Sequence, residues 1–329
     1  MKKKLLTFLL LLPLALKAQT FIYDGVYYSI KLFTKNVGVA SSNSTMFYKD
    51  YITIPEIVKY NDVTYTVTSV DNYAFTGSEG LLGVTLPNTV TTIGDGSFSG
   101  CHGLTEFIIP QGVSTIGYDA FYGSINIKEI TIPNSVKGIM SQAFSKIENL
   151  VIEDGEEALS LMTLYNINDN TPFHICPLKS IYLGRNLEYQ NSYSPFSDNS
   201  LLETVTIGEK VTKLSSYLFR DCTGLKDIYC YNEEVPEVGL YVLASDIAKN
   251  VTLHVPANSL EKYKTASFWK EFGTIVSLPN DNSAIENTFI SPKTINNYYN
   301  IKGQKIGEPQ KGINIIRTSD GNYKKILLK

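Results

Sequence analysis

Four cysteines and three histidines are the residues from which a reactive centre could be assembled in this chain. A cysteine beside a histidine is the minimal pair for a thiolate nucleophile, and Cys101 with His102 and Cys176 with His174 come close to it. Zinc would need pairs as close as C-x-x-C, and Cys101, Cys176, Cys222 and Cys230 contain none. Their spacing points elsewhere. Cys101, Cys176 and Cys222 each follow a phenylalanine by three residues (Phe98, Phe173 and Phe219), as small buried packing residues would. Beside Cys222 the polar slot holds Arg220-Asp221, which suits a tolerant corner better than a general base. Disulfides are open to an exported protein, but positions in different repeats argue against a framework. His254 stands apart. Asn166-Ile-Asn-Asp-Asn170 has oxygen ligands for calcium but lacks the Gly and distal Glu of an EF-hand loop, so it reads as a polar surface loop. No P-loop, Gly-x-Ser-x-Gly or His-Glu-x-x-His occurs. The expectation is a chain with no catalytic residue, metal or cofactor, not an enzyme.

The elements that hold these residues repeat. Val67 to Phe75, Val90 to Phe98, Val113 to Phe121 and Val136 to Phe144 share one pattern, each start 23 residues after the last, and Pro87, Pro110 and Pro133 keep the step. A 20–30-residue period carrying Leu-x-x-Val-x-Leu marks a leucine-rich solenoid. In each unit an apolar pair opens the coil, a phenylalanine sits in the middle, and an alternating run such as Phe107-Ile-Ile109 closes it before proline. The phenylalanines should stack through the interior. Gly94 and Gly117 suit turns that need φ > 0; Asp71 and Met140 replace them in the first and fourth units, whose turns should be less regular. The pattern resumes at Phe173, Phe196 and Val211 to Phe219, whereas Glu153 to Thr171 fits no unit and reads as an excursion.

The run Ile93-Gly94…Phe98-Ser-Gly-Cys101-His-Gly-Leu104-Thr-Glu-Phe107-Ile-Ile109-Pro110 resembles the BspA-like leucine-rich repeats of bacterial surface proteins, over about Val67 to Val235. Such proteins are mostly surface-exposed or secreted, and some bind host matrix proteins or other bacteria. The resemblance implies that role class and supplies no ligand, because the matching residues are core and turn positions.

Ahead of the repeats, Met1-Lys-Lys-Lys4, the apolar run Leu5 to Leu16 and Lys17-Ala18 read as a signal peptide over residues 1–18. The apolar run falls short of the roughly 20 residues that span a bilayer, so export is expected, with a membrane anchor as the alternative and no transmembrane segment in the mature chain. Loss of its four lysines takes the formal charge from −3 to −7, a poor balance for nucleic acid. Residues 19–66 are rich in Tyr, Val, Ile and Thr and carry the hairpin signal Asp24-Gly25, so they read as a β-rich cap or, alternatively, a tyrosine-rich binding module. The solenoid is placed at 67–235.

A closing cap follows at 236–278, with strand Val251 to Val255 and a helix from Asn258 to Phe272 started by Asn258 or Ser259, Trp269 lying in its core. A linker begins at Pro279, and residues 279–329 end in a small β tail. From Lys302 onward that tail has seven Lys or Arg against two acids, a net +5, which leaves the preceding exported part at −12. With Gly312-Ile-Asn-Ile-Ile-Arg317 and the terminal run Lys324-Lys-Ile-Leu-Leu-Lys329 it resembles a shortened C-terminal sorting domain of the type-nine secretion pathway; the alternative is a β appendage packed on the solenoid. The charge asymmetry favours docking onto an acidic partner or onto the chain itself.

The fold class expected is therefore a mainly β solenoid with few short helices, a β-rich N-terminal cap and a small C-terminal β tail. Function falls to the outward residues of the closing strands: Thr85, Ile108, Thr131, Tyr182, Thr206 and Tyr229, beside a second row of Gly83, Glu106, Glu129, Ser180, Thr204 and Asp227. Ile108, Tyr182 and Tyr229 are larger and less polar than a solvated face needs, and tyrosines anchor interfaces. The expectation is a cell-surface or secreted protein (periplasmic as the alternative) that binds a protein or glycan on host or neighbouring cells by that face. The rival is a glycan-binding partner of a nutrient-capture system.

Overall fold

Most repeats contribute two strands, one from the opening apolar pair and one from the closing run, and stacking the coils builds two main sheets. The computed structural model describes residues 19–42, 47–162, 171–190 and 194–278, with the backbone of four strands at Asn297–Tyr299, Lys305–Ile306, Gly312–Arg317 and Tyr323–Leu328. Those four strands pair antiparallel with one another. The signal-peptide segment, Asn166 to Asn170 and the linker from Pro279 lie outside the described residues.

The opening pairs Thr92–Ile93, Thr115–Ile116 and Gly138–Ile139 form a parallel ladder that runs on from Val63–Val70. The first strands join the same sheet: Thr20–Tyr23, Val26–Ile30 and Asn36–Val39 fold as an antiparallel meander whose last strand pairs parallel with Val63–Val70. Asp24 and Gly25 take φ 47° and 74°, the left-handed turn that the Asp-Gly signal asks for. Closing strands form the second sheet, Glu129–Ile132, Asn149–Ile152, Ser180–Leu183, Thr204–Ile207, Asp227–Cys230, Thr252–Val255 and Thr274–Ser277, all parallel.

Between the sheets runs the phenylalanine stack. Successive rings from Phe75 to Phe173 lie 4.9–5.3 Å apart and within 8° of parallel. Spacing widens to 5.8 and 6.1 Å at Phe196 and Phe219. The backbone sets this pitch: Phe75, Phe98 and Phe121 N–H groups donate forward to Ser97, Ala120 and Ala143.

The turns differ from the sequence expectation. Gly94 and Gly117 are not left-handed. They are glycine because the preceding coil packs against them: a Cβ on Gly94 would lie 2.7 Å from the Asn72 nitrogen, and one on Gly117 2.6 Å from the Asp95 nitrogen. The left-handed residues instead flank core rings: Tyr73, Gly96, Asp119, Gln142 and Tyr217 lie two residues before Phe75, Phe98, Phe121, Phe144 and Phe219, and Gly77, Gly100, Gly123, Asp198 and Asp221 lie two after Phe75, Phe98, Phe121, Phe196 and Phe219. Nor are the Asp71 and Met140 turns irregular. Their N–H groups bond the preceding coil at 2.8 and 2.9 Å, as Gly94 and Gly117 do at 2.8 Å. Asp71 accepts from Ser29, Lys31 and Ser69 in the space left by Gly38, and so ties the first strands to the first coil.

Two further expectations change. Leu159–Leu161, within the supposed excursion, pairs parallel with Gly138–Ile139 and Leu187–Glu188, so the chain re-enters the stack there. Helix is shorter than Asn258 to Phe272: it covers Leu260–Thr265 between single 3-10 turns, and Ser259 Oγ donates to the Glu233 carbonyl (2.6 Å) rather than capping. The break lets Trp269, 1% exposed, pack edge-on against Tyr263 and Phe268 and donate to the Pro236 carbonyl.

Candidate functional site

The cysteines settle first, because they hold the coil corners. Cys101 Sγ donates to the Phe75 carbonyl (3.1 Å), Cys222 Sγ to that of Phe196 (3.0 Å), and Ser124 Oγ, in the same slot, to that of Phe98 (2.6 Å). A small donor is needed wherever the ring-bearing residue one coil earlier turns its carbonyl inward. Burial pushes the thiols of Cys101, Cys176 and Cys222 up to about 12 and that of Cys230 up to about 11, the reverse of an activated nucleophile. All four are free and buried, whereas His102 and His174 are exposed and His102 faces Glu79 at 3.8 Å. We expect the native chain at pH 8 to take up no iodoacetamide in minutes, and four equivalents after unfolding; labelling without denaturant would contradict the buried placement. Among the described residues no three His, Cys, Asp or Glu side chains cluster as metal ligands would.

Outward residues of the second sheet are the remaining candidate. Strand register places Thr131, Val151, Tyr182, Thr206, Tyr229, His254 and Val276 in one row across seven strands. Four of the six sequence candidates, Thr131, Tyr182, Thr206 and Tyr229, therefore share a face. Thr85 and Ile108 do not join them. Thr85 pairs with Thr53 in a separate two-stranded sheet, and Ile108, although 47% exposed, lies in a segment without ladder bonds. Phe107 stands there in place of the Val84 and Ile130 of its neighbours. Its ring wedges edge-on between Phe98 and Phe121, at 4.8 and 4.7 Å, and holds the segment off ladder spacing.

Thr206 is not outward-exposed either: its accessibility is 0%. Strands stand about 4.8 Å apart, so the Tyr182 and Tyr229 rings on either side cover the smaller side chain between them. Its hydroxyl finds no hydrogen-bond partner. Thr206→Val, which keeps the shape and removes that buried hydroxyl, should leave stability unchanged or raise it by about 1 kcal/mol in urea unfolding.

The row carries its aromatic rings, Tyr182, Tyr229 and His254, between Thr131 and Val151 on one side and Val276 on the other. Tyr182 is half-buried and donates to Asp154 Oδ1 at 2.8 Å; burial first, then that carboxylate, push its phenol pKa up. Tyr229 stacks on His254 with centroids 4.3 Å apart and planes 8° from parallel, and His254 Nε2 lies 2.9 Å from Asp227 Oδ1. Alongside, Ser180 Oγ donates to Asn149 and Asn149 to Glu129. At neutral pH both phenols are protonated, so the face offers rings, hydroxyls and carboxylates for recognition. Sequence reasoning missed Val151, Asp154 and His254 as members. The alternation Thr252-Leu-His-Val255 was a usable signal for His254, because it continues the closing-strand pattern.

Sequence comparison matches the family described as "BspA type Leucine rich repeat region (6 copies)" over residues 43–166, 68–194 and 157–273. Among solved structures, a leucine-rich repeat protein from Bacteroides ovatus is 18% identical over 79% of this chain and 100% of its own, with a TM-score of 0.35. A leucine-rich cell surface protein from Faecalibacterium prausnitzii is 15% identical over 81% of this chain and 96% of its own, with a TM-score of 0.43. The leucine-rich repeat protein TpLRR from T. pallidum is 21% identical over 65% and 83%, with a TM-score of 0.42. No curated protein matches.

Proposed function

The chain belongs to the BspA-type leucine-rich repeat family, and from that premise we propose that it is an exported, non-catalytic protein that binds a protein partner at a cell surface through the Tyr182–Tyr229 face. The observation that carries this reading is the registered row in which Tyr182, Tyr229 and His254 stand on parallel strands of one sheet, Tyr229 next to His254 and separated from Tyr182 by the Thr206 strand, each held by a second contact. Rings pinned in this way lose little freedom on binding, which is what interface anchors need. Export is supported by the lysine-led apolar segment at the N-terminus. Among the described residues no helix is long and apolar enough to cross a membrane.

Binding of the full chain to matrix-coated plates and to neighbouring bacterial cells tests the face. The double variant Tyr182→Ala, Tyr229→Ala should lose tenfold or more in affinity, about 1.4 kcal/mol; unchanged binding would sink the reading. Protease treatment of intact producing cells, with and without residues 284–329, tests the location. Surface exposure that disappears with the tail makes the tail a sorting signal and supports adhesion, whereas periplasmic retention of both forms removes it.

A further inference from the structure

A second aromatic surface lies at the other end of the molecule, on the strip Phe47–Tyr51, and its side chains divide into an anchor and two platforms. Tyr48 is the anchor. It is 7% exposed, its ring lies 4.8 Å from Phe75, its hydroxyl donates to the Ala40 carbonyl and accepts from the Tyr27 N–H, both at 3.1 Å, and its own N–H donates to Ser78 Oγ. Phe47 and Tyr51 are the platforms, 65% and 78% exposed. Each ring rests against a glycine of the next coil: a Cβ on Gly77 would meet Phe47 Cε1 at 3.2 Å, and one on Gly83 would meet Tyr51 Cδ1 at 2.8 Å. So each ring is backed by bare backbone while most of its surface faces solvent.

Both rings border a cleft of about 420 Å³ whose other walls include Asp24, Tyr27, Lys49 and Thr53. That volume falls among those of small-ligand sites. One carboxylate and one ammonium on the rim cancel, so the cleft has no net charge with which to select an ion. What remains is a pair of ring faces interleaved with a carboxylate, an ammonium and a hydroxyl. A pyranose presents the complement, a C–H face for the rings and equatorial hydroxyls for the polar groups.

We propose that this cleft binds a neutral oligosaccharide, with Tyr51 and Phe47 as stacking platforms and Asp24 and Thr53 as hydroxyl partners. Because Tyr48 is locked into the core, the platforms are positioned before the sugar arrives, which lowers the cost of binding. The site is separate from the Tyr182–Tyr229 face and stands or falls without it.

A neutral glycan array screened with the full chain, followed by calorimetric titration of the best hexasaccharide, decides the matter. Tyr51→Ala and Phe47→Ala should each weaken that titration about tenfold, with the thermal midpoint unchanged because both side chains are exposed. Tyr182→Ala with Tyr229→Ala should leave it intact. An array without a neutral ligand, binding that survives the Tyr51→Ala, Phe47→Ala double variant, or a preference for extended peptides over sugars would each overturn the proposal.

Discussion

Replacing Phe98 by alanine is expected to lower stability by about 3–5 kcal/mol. Phe98 is wholly buried, lies between Phe75 at 4.9 Å and Phe121 at 5.2 Å, and meets Phe107 edge-on at 4.8 Å. Its removal would leave a void that the neighbours cannot close. The pitch of the coils is set by backbone hydrogen bonds of 2.7 and 2.8 Å on either side, Phe75 to Ser97 and Phe98 to Ala120. A solenoid couples only neighbouring coils, so a weak coil in mid-stack also threatens cooperativity. Urea unfolding followed by tyrosine fluorescence and by circular dichroism should show a lower midpoint and transitions that no longer coincide. Phe196→Ala is the comparison. Its neighbours are 5.8 and 6.1 Å away, so its loss should cost less. Equal costs would mean that ring stacking adds nothing beyond burial.

Arg185→Met is expected to cost about 1–3 kcal/mol, from the Asn134 carbonyl left without a donor, while the Pro133 carbonyl keeps the Val136 N–H at 3.1 Å. Arg185 is 1% exposed and reaches back two coils, donating from Nη2 to the Pro133 carbonyl (2.8 Å) and from Nη1 to that of Asn134 (3.0 Å). Its stem passes Gly155, where an added Cβ would lie 3.1 Å from Arg185 Cδ. Burial lowers the guanidinium pKa, and the Glu153 and Glu157 carboxylates partly restore it, so the charge itself is a burden. The two hydrogen bonds offset that burden. That makes the outcome informative, since buried charges can often be replaced by apolar groups at no loss. Arg185→Lys should recover little, because an ammonium cannot present the two-pronged donor geometry. A methionine variant within about 0.5 kcal/mol of the parent would show that the Asn134 carbonyl finds another donor.

What the sequence determined by itself is the stack. Coils related by a 23-residue step place like residues beside like, so Phe75, Phe98, Phe121 and Phe144 announce their contacts by spacing alone, as do the cysteine slots three residues further on. The Asp24-Gly25 turn is legible for a similar reason, since its backbone demand is met within two residues. Only the tertiary structure decided the rest, because it depends on which coil lands beside which when the step is not constant. Leu159–Leu161 rejoins the ladder from a segment that breaks the period, and Asn149–Ile152 comes early in its coil and inserts Val151 between Thr131 and Tyr182. Thr206 is buried by rings 24 residues before and 23 after it, and Phe107, read as a strand residue, prevents the strand it belongs to. Arg185 bonds carbonyls 51 and 52 residues away. Periodicity records contacts that recur from coil to coil; single contacts across unequal coils leave no such trace, and the outward face of the closing strands is built largely from them.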